Sequence, residues 1–92
     1  MNKFKDEEIS DKIAQNYTQI DYSGLKHPIW TIFQNTTDYP EQYVARLFDL
    51  SIPTNVVMID DCLDNLRQKI NPLLDRYPRD EFDDKSVVEI YM

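Results

Sequence analysis

The sequence predicts an α+β protein built on an antiparallel-rich four-stranded sheet, with the element order α-β-β-β-α-β. Three observations lead to this fold class. Runs dense in β-branched and aromatic residues follow one another between residues 28 and 60, and such residues suit a pleated, half-buried surface. The segments between these runs are short and contain prolines, so neighbouring strands are expected to be antiparallel. After Ile59 the apolar period changes from two residues to about 3.6, which indicates a helix.

The start of the chain predicts an amphipathic N-terminal helix or arm over residues 1–22, ahead of a single α+β domain over residues 23–92. Four apolar residues recur at steps of four, four and three, which places one stripe along a helix. These residues are Ile9, Ile13, Tyr17 and Ile20. The stripe would lie on the domain or on a second copy of it, and a frayed arm is the alternative. Gly24, the single glycine, is the expected place for a positive φ in the linker that follows.

Four runs are predicted to be strands of one sheet. They cover residues 29–33, 43–50, 56–60 and 86–91. In the first two runs neither face is purely polar, so both faces of the sheet are expected to be partly buried, each under a helix or a partner. Arg46 is a lone charge in an apolar strand, and we interpret it as a snorkelling or carboxylate-paired arginine.

A helix is predicted over about residues 61–70 and is expected to pack on the sheet with Leu47 or Phe48. Its apolar face consists of Leu63, Leu66 and Ile70. Asp60 or Asp61 is expected to cap its N-terminus. The apolar start of residues 73–78 predicts a short cover for the core, with one turn of helix as an option, before the last strand begins.

Composition and charge restrict the partners. The net charge is −7, and residues 28–92 hold twelve Asp and Glu against six Lys and Arg. An acidic surface repels nucleic-acid phosphates and anionic lipid, so we expect no direct nucleic-acid or membrane binding, and a protein partner with a basic surface is favoured. The simpler explanation of the acidity is that it only keeps a small protein soluble. No apolar run approaches the roughly 18 residues of a membrane span. One cysteine, Cys62, predicts a reducing cytoplasm.

The residue inventory argues against most catalysis. His27 is the single histidine, has no cysteine near it in the sequence, and is interpreted as a surface or edge residue. Phosphate loops and dinucleotide fingerprints need several glycines, and this chain has one. Cys62 lacks a neighbouring base or second cysteine and is interpreted as a partly buried small hydrophobe. We therefore expect no cofactor and no enzymatic activity.

Two groups of carboxylates remain as candidate sites. The first lies where the third strand meets the helix and consists of Asp60, Asp61 and Asp64. The second lies in the loop before the last strand and consists of Asp80, Glu81, Asp83 and Asp84. Clustered carboxylates can hold Mg²⁺ or Ca²⁺, but helix capping for the first group and a solvated turn for the second are the simpler explanations. We predict the second group as an acidic surface for a basic partner, and the first as an alternative metal site.

Several runs between residues 27 and 92 resemble a family of small uncharacterised bacterial and phage-borne proteins. These runs are residues 27–40, 43–49, 53–54, 63–70 and 87–91, and the predicted N-terminal helix is not part of the likeness. The first of them begins His27-Pro28-Ile29-Trp30-Thr31-Ile32-Phe33. The resemblance implies a cytoplasmic prokaryotic or phage origin, and no catalytic residue is carried over because the family has no assigned activity.

These observations favour a small, acidic, non-enzymatic protein-interaction module. A sharper form of the hypothesis is an inhibitor that occupies a basic groove of its target by imitating nucleic-acid charge, although the arginines of the chain weaken that form. The alternatives are a small metal-dependent hydrolase that uses the aspartate clusters, and a structural homodimer. Because the strands are apolar on both faces while one helix is well specified, we also predict a homodimer to which the N-terminal helix or an edge strand contributes.

Overall fold

The computed structural model describes residues 11–81 and 83–92, and within them the chain forms one six-stranded sheet and one α-helix. The strands are β1 (Lys12–Ile13), β2 (Pro28–Gln34), β3 (Tyr43–Asp49), β4 (Ile52–Asp60), β5 (Arg76–Pro78) and β6 (Val87–Tyr91), and the helix is α1 (Leu63–Lys69). The strand order across the sheet is β1-β4-β3-β2-β6-β5. The fold is mixed α+β, and the predicted architecture of four strands and two helices is wrong.

The predicted N-terminal helix is absent from the described part of its range. Lys12–Ile13 is instead β1, which pairs in parallel with β4, and Tyr17–Gln19 is a short 3₁₀ turn. The Asn16 side chain accepts a hydrogen bond from the backbone N–H two residues on, so local side-chain bonding starts a turn where the apolar period predicts a longer helix. Ile13 is 58% exposed, and Ile9 lies outside the described residues.

The other edge of the sheet was also missed by the sequence analysis. The segment predicted as a short apolar cover contains β5, which pairs antiparallel with β6. Leu73 is 88% exposed, so this residue does not cover the core. Both edge strands are very short, and β5 ends in Pro78, which has no N–H for a ladder.

The centre of the sheet is an antiparallel meander. β2 and β3 pair without interruption from Pro28↔Asp49 to Gln34↔Tyr43. β4 begins at Ile52, earlier than predicted, and therefore contains Pro53, which the sequence analysis assigns to a loop. The proline is tolerated because the register of β3 and β4 shifts between Pro53 and Val57 and because β1 pairs with β4 only further along.

The backbone conformation of the turns differs from expectation. Gly24 does not have a positive φ, and within the described residues three non-glycine residues do: Asn35, Glu41 and Leu50. Leu50 has φ 58° and is the first residue of the two-residue connection between β3 and β4. Hairpins prefer glycine at that position, because a Cβ disfavours the left-handed region.

The core lies between α1 and one face of the sheet. Leu66 is fully buried and Ile70 is 3% exposed, and both pack in one cluster with Trp30, Ile32 and Leu47. This contact confirms the predicted phase of the helix and its packing on Leu47. The alternative contact, Phe48, alternates with Leu47 along β3 and therefore points to the opposite face.

The start of the helix differs from the predicted aspartate cap. The N-cap residue is Cys62, which makes no side-chain cap bond and is exposed, so its interpretation as a partly buried hydrophobe is wrong. Asp60 lies two residues before this N-cap, and its carboxylate accepts a hydrogen bond from the Cys62 N–H. The helix is two residues shorter at its start than expected because this side-chain-bonded turn precedes it.

One charged group is buried beneath the helix. Glu89 of β6 is 5% exposed and receives two hydrogen bonds from the Arg67 guanidinium, from Nε at 2.8 Å and from Nη2 at 2.9 Å. The Tyr91 hydroxyl donates to the same carboxylate. A buried carboxylate requires this kind of pairing, since an isolated charge would be strongly destabilising.

Candidate interaction surface

The face of the sheet opposite α1 carries apolar side chains that are only half-buried. Ile29 and Phe33 of β2, Phe48 of β3 and Ile90 of β6 belong to this surface, which we call the open face. The Phe33 and Phe48 rings lie with centroids 6.3 Å apart. Within residues 11–81 and 83–92 the single α-helix contacts the other face, so no described helix covers these side chains.

A groove runs along the open face. It consists of three adjoining depressions of about 280, 370 and 400 Å³. Phe33 lines the first and second, whereas Ile29, Leu50 and Met92 line both the second and the third. The groove therefore follows β2 from one end to the other, and its walls are mainly apolar.

Two large apolar residues stand at the side of this groove with much of their surface in water. Leu50 is 61% exposed and Met92 is 50% exposed. Leu50 also holds the unfavourable positive φ described above. Strained backbone is commonly found at functional sites, and here the strain presents an apolar side chain beside an apolar groove.

A polar cluster closes one end of the open face. Arg46 of β3 donates two hydrogen bonds to the Asp11 carboxylate, each at 3.0 Å, and a third to the Thr54 carbonyl at 2.8 Å. The Tyr39 hydroxyl donates to the same carboxylate at 2.8 Å. The arginine is thus carboxylate-paired, as predicted from the sequence, and its charge is neutralised locally.

The titration behaviour of this cluster follows from its contacts. The hydrogen bond from Arg46 holds the pKa of the Asp11 carboxyl below its usual value, although partial burial opposes this. Burial, together with the hydrogen bond to Asp11, raises the pKa of the Tyr39 phenol to about 12. Near neutral pH the cluster therefore consists of a carboxylate, a guanidinium and a neutral phenol.

The predicted acidic surface is a structured turn. The Asp83 carboxylate accepts from the Asp80 N–H, and Asp84 accepts from both the N–H and the hydroxyl of Ser86. These bonds from Ser86 lower the pKa of the Asp84 carboxyl. Glu81 is exposed in the same loop. The last strand lies beside β2, and the structure places Asp83 of this loop in the wall of the groove.

The aspartates at the start of α1 take part in local pairing. Asp60 accepts from the Cys62 N–H and lies 3.3 Å from the Lys69 ammonium, and the first of these contacts is the main cause of its lowered pKa. Asp64 lies 3.1 Å from Arg67, and Asp61 is exposed. In the part of the chain that the structure describes, no three His, Cys, Asp or Glu side chains are grouped to hold a metal ion.

The two ends of the groove carry opposite charge. Asp38 lines the depression that follows the end of β2, and Lys26 lines the depression that precedes its start. His27 is exposed beside Lys26, which confirms its interpretation as a surface residue. The sequence analysis missed this groove, because alternation shows that both faces of a strand are apolar but not which of them the helix covers.

The chain matches no protein-family model, no curated protein and no solved structure. The resemblance to small bacterial and phage-borne proteins therefore stays a prediction. No helix among the described residues is both long and apolar enough to cross a membrane.

Proposed function

We propose that this protein is a non-enzymatic protein-interaction module whose open face binds a protein partner. One observation carries the proposal: Ile29, Phe33, Phe48 and Ile90 form a half-buried apolar surface along a continuous groove. Burial of apolar surface is the main driving force of protein association, and a contiguous exposed patch of this kind commonly marks an interface.

The charges of the protein restrict the chemistry of this partner. The net charge is −7, and Asp38 and Asp83 line the groove beside its apolar residues. A partner that presents an apolar patch flanked by lysine or arginine would complement both features. An inhibitor that covers a basic groove of its target is one form of such a module, and the acidic loop over residues 79–85 would face the basic rim. We propose a reducing cytoplasm as its compartment, because a single cysteine cannot form a disulfide within the chain.

The test compares two substitutions that add the same charge at different places. Phe48→Glu places a carboxylate on the open face, and Leu73→Glu places one at a residue that is 88% exposed and outside the groove. Each variant serves as the bait in an affinity purification from the cells that naturally produce the protein. Quantitative mass spectrometry then measures the amount of each protein recovered with it. We expect Phe48→Glu to reduce the recovered partner at least tenfold and Leu73→Glu to leave it unchanged.

Two controls make this comparison decisive. Fluorescence of the buried Trp30 reports whether Phe48→Glu still folds, and Ile29→Glu supplies a second charge on the same face if it does not. A partner with a basic flank should also bind less tightly as the salt concentration rises. Recovery of the same partner with both open-face variants would refute the proposal.

A further inference from the structure

The groove on the open face has a direction that its charges define. Lys26 and Asp38 stand before and after β2, whose seven residues at about 3.4 Å each give a strand about 24 Å long. Between them the walls are mainly apolar, with Asp83 as their one charged residue, and the side chain of Thr31 lies near the middle. Arg46 also lines the end that holds Asp38, but its charge is paired with Asp11, so among the described residues the groove carries an unpaired cation at one end and Asp38 at the other.

We infer that the partner of the open face is a second copy of this chain, packed sheet against sheet across a two-fold axis near Thr31. This inference rests on the proposed function, because it names the protein that the open face binds. A two-fold axis in the plane of the contact and perpendicular to β2 reverses the groove, so Lys26 of each copy meets Asp38 of the other. The second copy thereby presents to the groove an apolar patch with a lysine, Lys26, beside it, which is the partner chemistry proposed above.

The packing geometry of sheets is compatible with such a pair. Two sheets in face-to-face contact lie about 10 Å apart, with the side chains of the inner faces interdigitated. Ile29, Phe33, Phe48 and Ile90 are the side chains that would fill this space, and Leu50 would extend the contact at its rim. Two chains of charge −7 repel each other, but salt screens this repulsion beyond about 8 Å at physiological ionic strength, whereas the apolar contact is short-ranged.

A charge exchange tests the arrangement on the full chain. Sedimentation velocity at 0.15 M NaCl is measured for the wild type, Lys26→Glu, Asp38→Lys and the double variant. We expect a dimer for the wild type and about tenfold weaker dimerisation for each single variant, since each creates two like-charged contacts. The double variant restores opposite charges across the axis and should return to within about threefold of the wild type.

Two further variants separate this inference from the proposed function. Lys12→Glu makes the same charge change in β1, outside the groove, and should leave the dimer unchanged. Phe48→Glu should abolish the dimer, with Trp30 fluorescence as the check on folding and Ile29→Glu as its substitute. Two results would overturn the second-copy inference: a wild type that is monomeric at 500 µM, or a double variant that dimerises as weakly as the single variants. In either case, capture of another protein that depends on Phe48 would still support the proposed function. A dimer that survives both open-face substitutions would overturn the inference and count against the open face as the contact surface.

Discussion

Arg67→Met is expected to destabilise the protein by removing the cation that pairs with buried Glu89. Two guanidinium hydrogen bonds, at 2.8 and 2.9 Å, hold a carboxylate that belongs to a residue 5% exposed. Removing one partner of a buried ion pair costs about 3–5 kcal/mol. The Arg67 side chain is itself 33% exposed, so water screens part of this interaction and the lower end of the range applies. We expect a loss of about 3 kcal/mol at pH 7.

The pH dependence of this loss has a definite sign. Burial raises the pKa of the Glu89 carboxyl, but the hydrogen bonds from Arg67 and Tyr91 lower it by more, so its net pKa lies below the usual value. In the folded wild type the charged form is therefore favoured, and the stability it contributes above about pH 4.3 is lost as the pH falls through the native pKa. In Arg67→Met burial dominates and the pKa rises, so protonation relieves the variant. The difference in unfolding free energy between the two proteins should shrink from pH 7 to pH 4.

Urea unfolding followed by the fluorescence of Trp30 measures both effects, because this single tryptophan is fully buried. With a denaturant slope of about 1.5 kcal/mol per molar, a loss of about 3 kcal/mol lowers the midpoint by about 2 M. Replacing Arg67 and Glu89 together by methionine should recover most of that loss, since no unpaired charge remains. An unchanged midpoint in the single variant, or a double variant less stable than the single one, would refute the reasoning.

Three further predictions concern Leu66, Leu50 and Asp11. Leu66→Ala should lower the free energy of unfolding by about 2–5 kcal/mol in the same urea assay, whereas Leu73→Ala, at an exposed site, should change it by less than about 0.5 kcal/mol. Leu50→Asn should raise the thermal midpoint by relieving roughly 1 kcal/mol of positive-φ strain, and Leu50→Ala should not, because alanine keeps a Cβ and asparagine tolerates this conformation. In wild type, acidification through the lowered pKa of Asp11 should lower the protection factors of the β1 amides, which compare each exchange rate with the unprotected rate at the same pH, because protonation weakens the bonds of Asp11 to Arg46. In Asp11→Asn these protection factors should already be low at pH 7 and should lack this step.

The sequence predicts the central part of this fold because its patterns are strong there. The runs that became β2, β3 and β6 are rich in β-branched and aromatic residues, and the stripe of Leu63, Leu66 and Ile70 has a helical period. The two edge strands were not predicted, because two or three residues are too few to show a period. Their pairing is decided by tertiary contacts, as the bond from the Ala14 N–H to the Val57 carbonyl illustrates.

The candidate site was predicted only in part, for a related reason. The acidic loop is evident from composition, but its position beside the groove depends on where β6 joins the sheet, next to β2. The pairing of Arg46 with a carboxylate was expected, yet its partner Asp11 lies 35 residues away in a segment predicted to be helical. The positive φ of Leu50 could not be predicted from the sequence, because two-residue hairpin turns prefer glycine or asparagine at such a position and rarely contain leucine.

The burial of side chains on the open face indicates that partners bind to this face of the sheet and not to its edges. Val44 and Val57 lie on that face and are 2% and 0% exposed, near the cluster of Arg46, Asp11 and Tyr39. Around β2, by contrast, the same face stays only half-buried. The described edge strands are β1 and β5, with two and three residues, and extending either would add backbone hydrogen bonds rather than bury an apolar patch. A partner can therefore bury far more apolar surface on the open face than it could gain by extending the sheet, which is why charges placed on that face, and not at either edge, are expected to prevent binding.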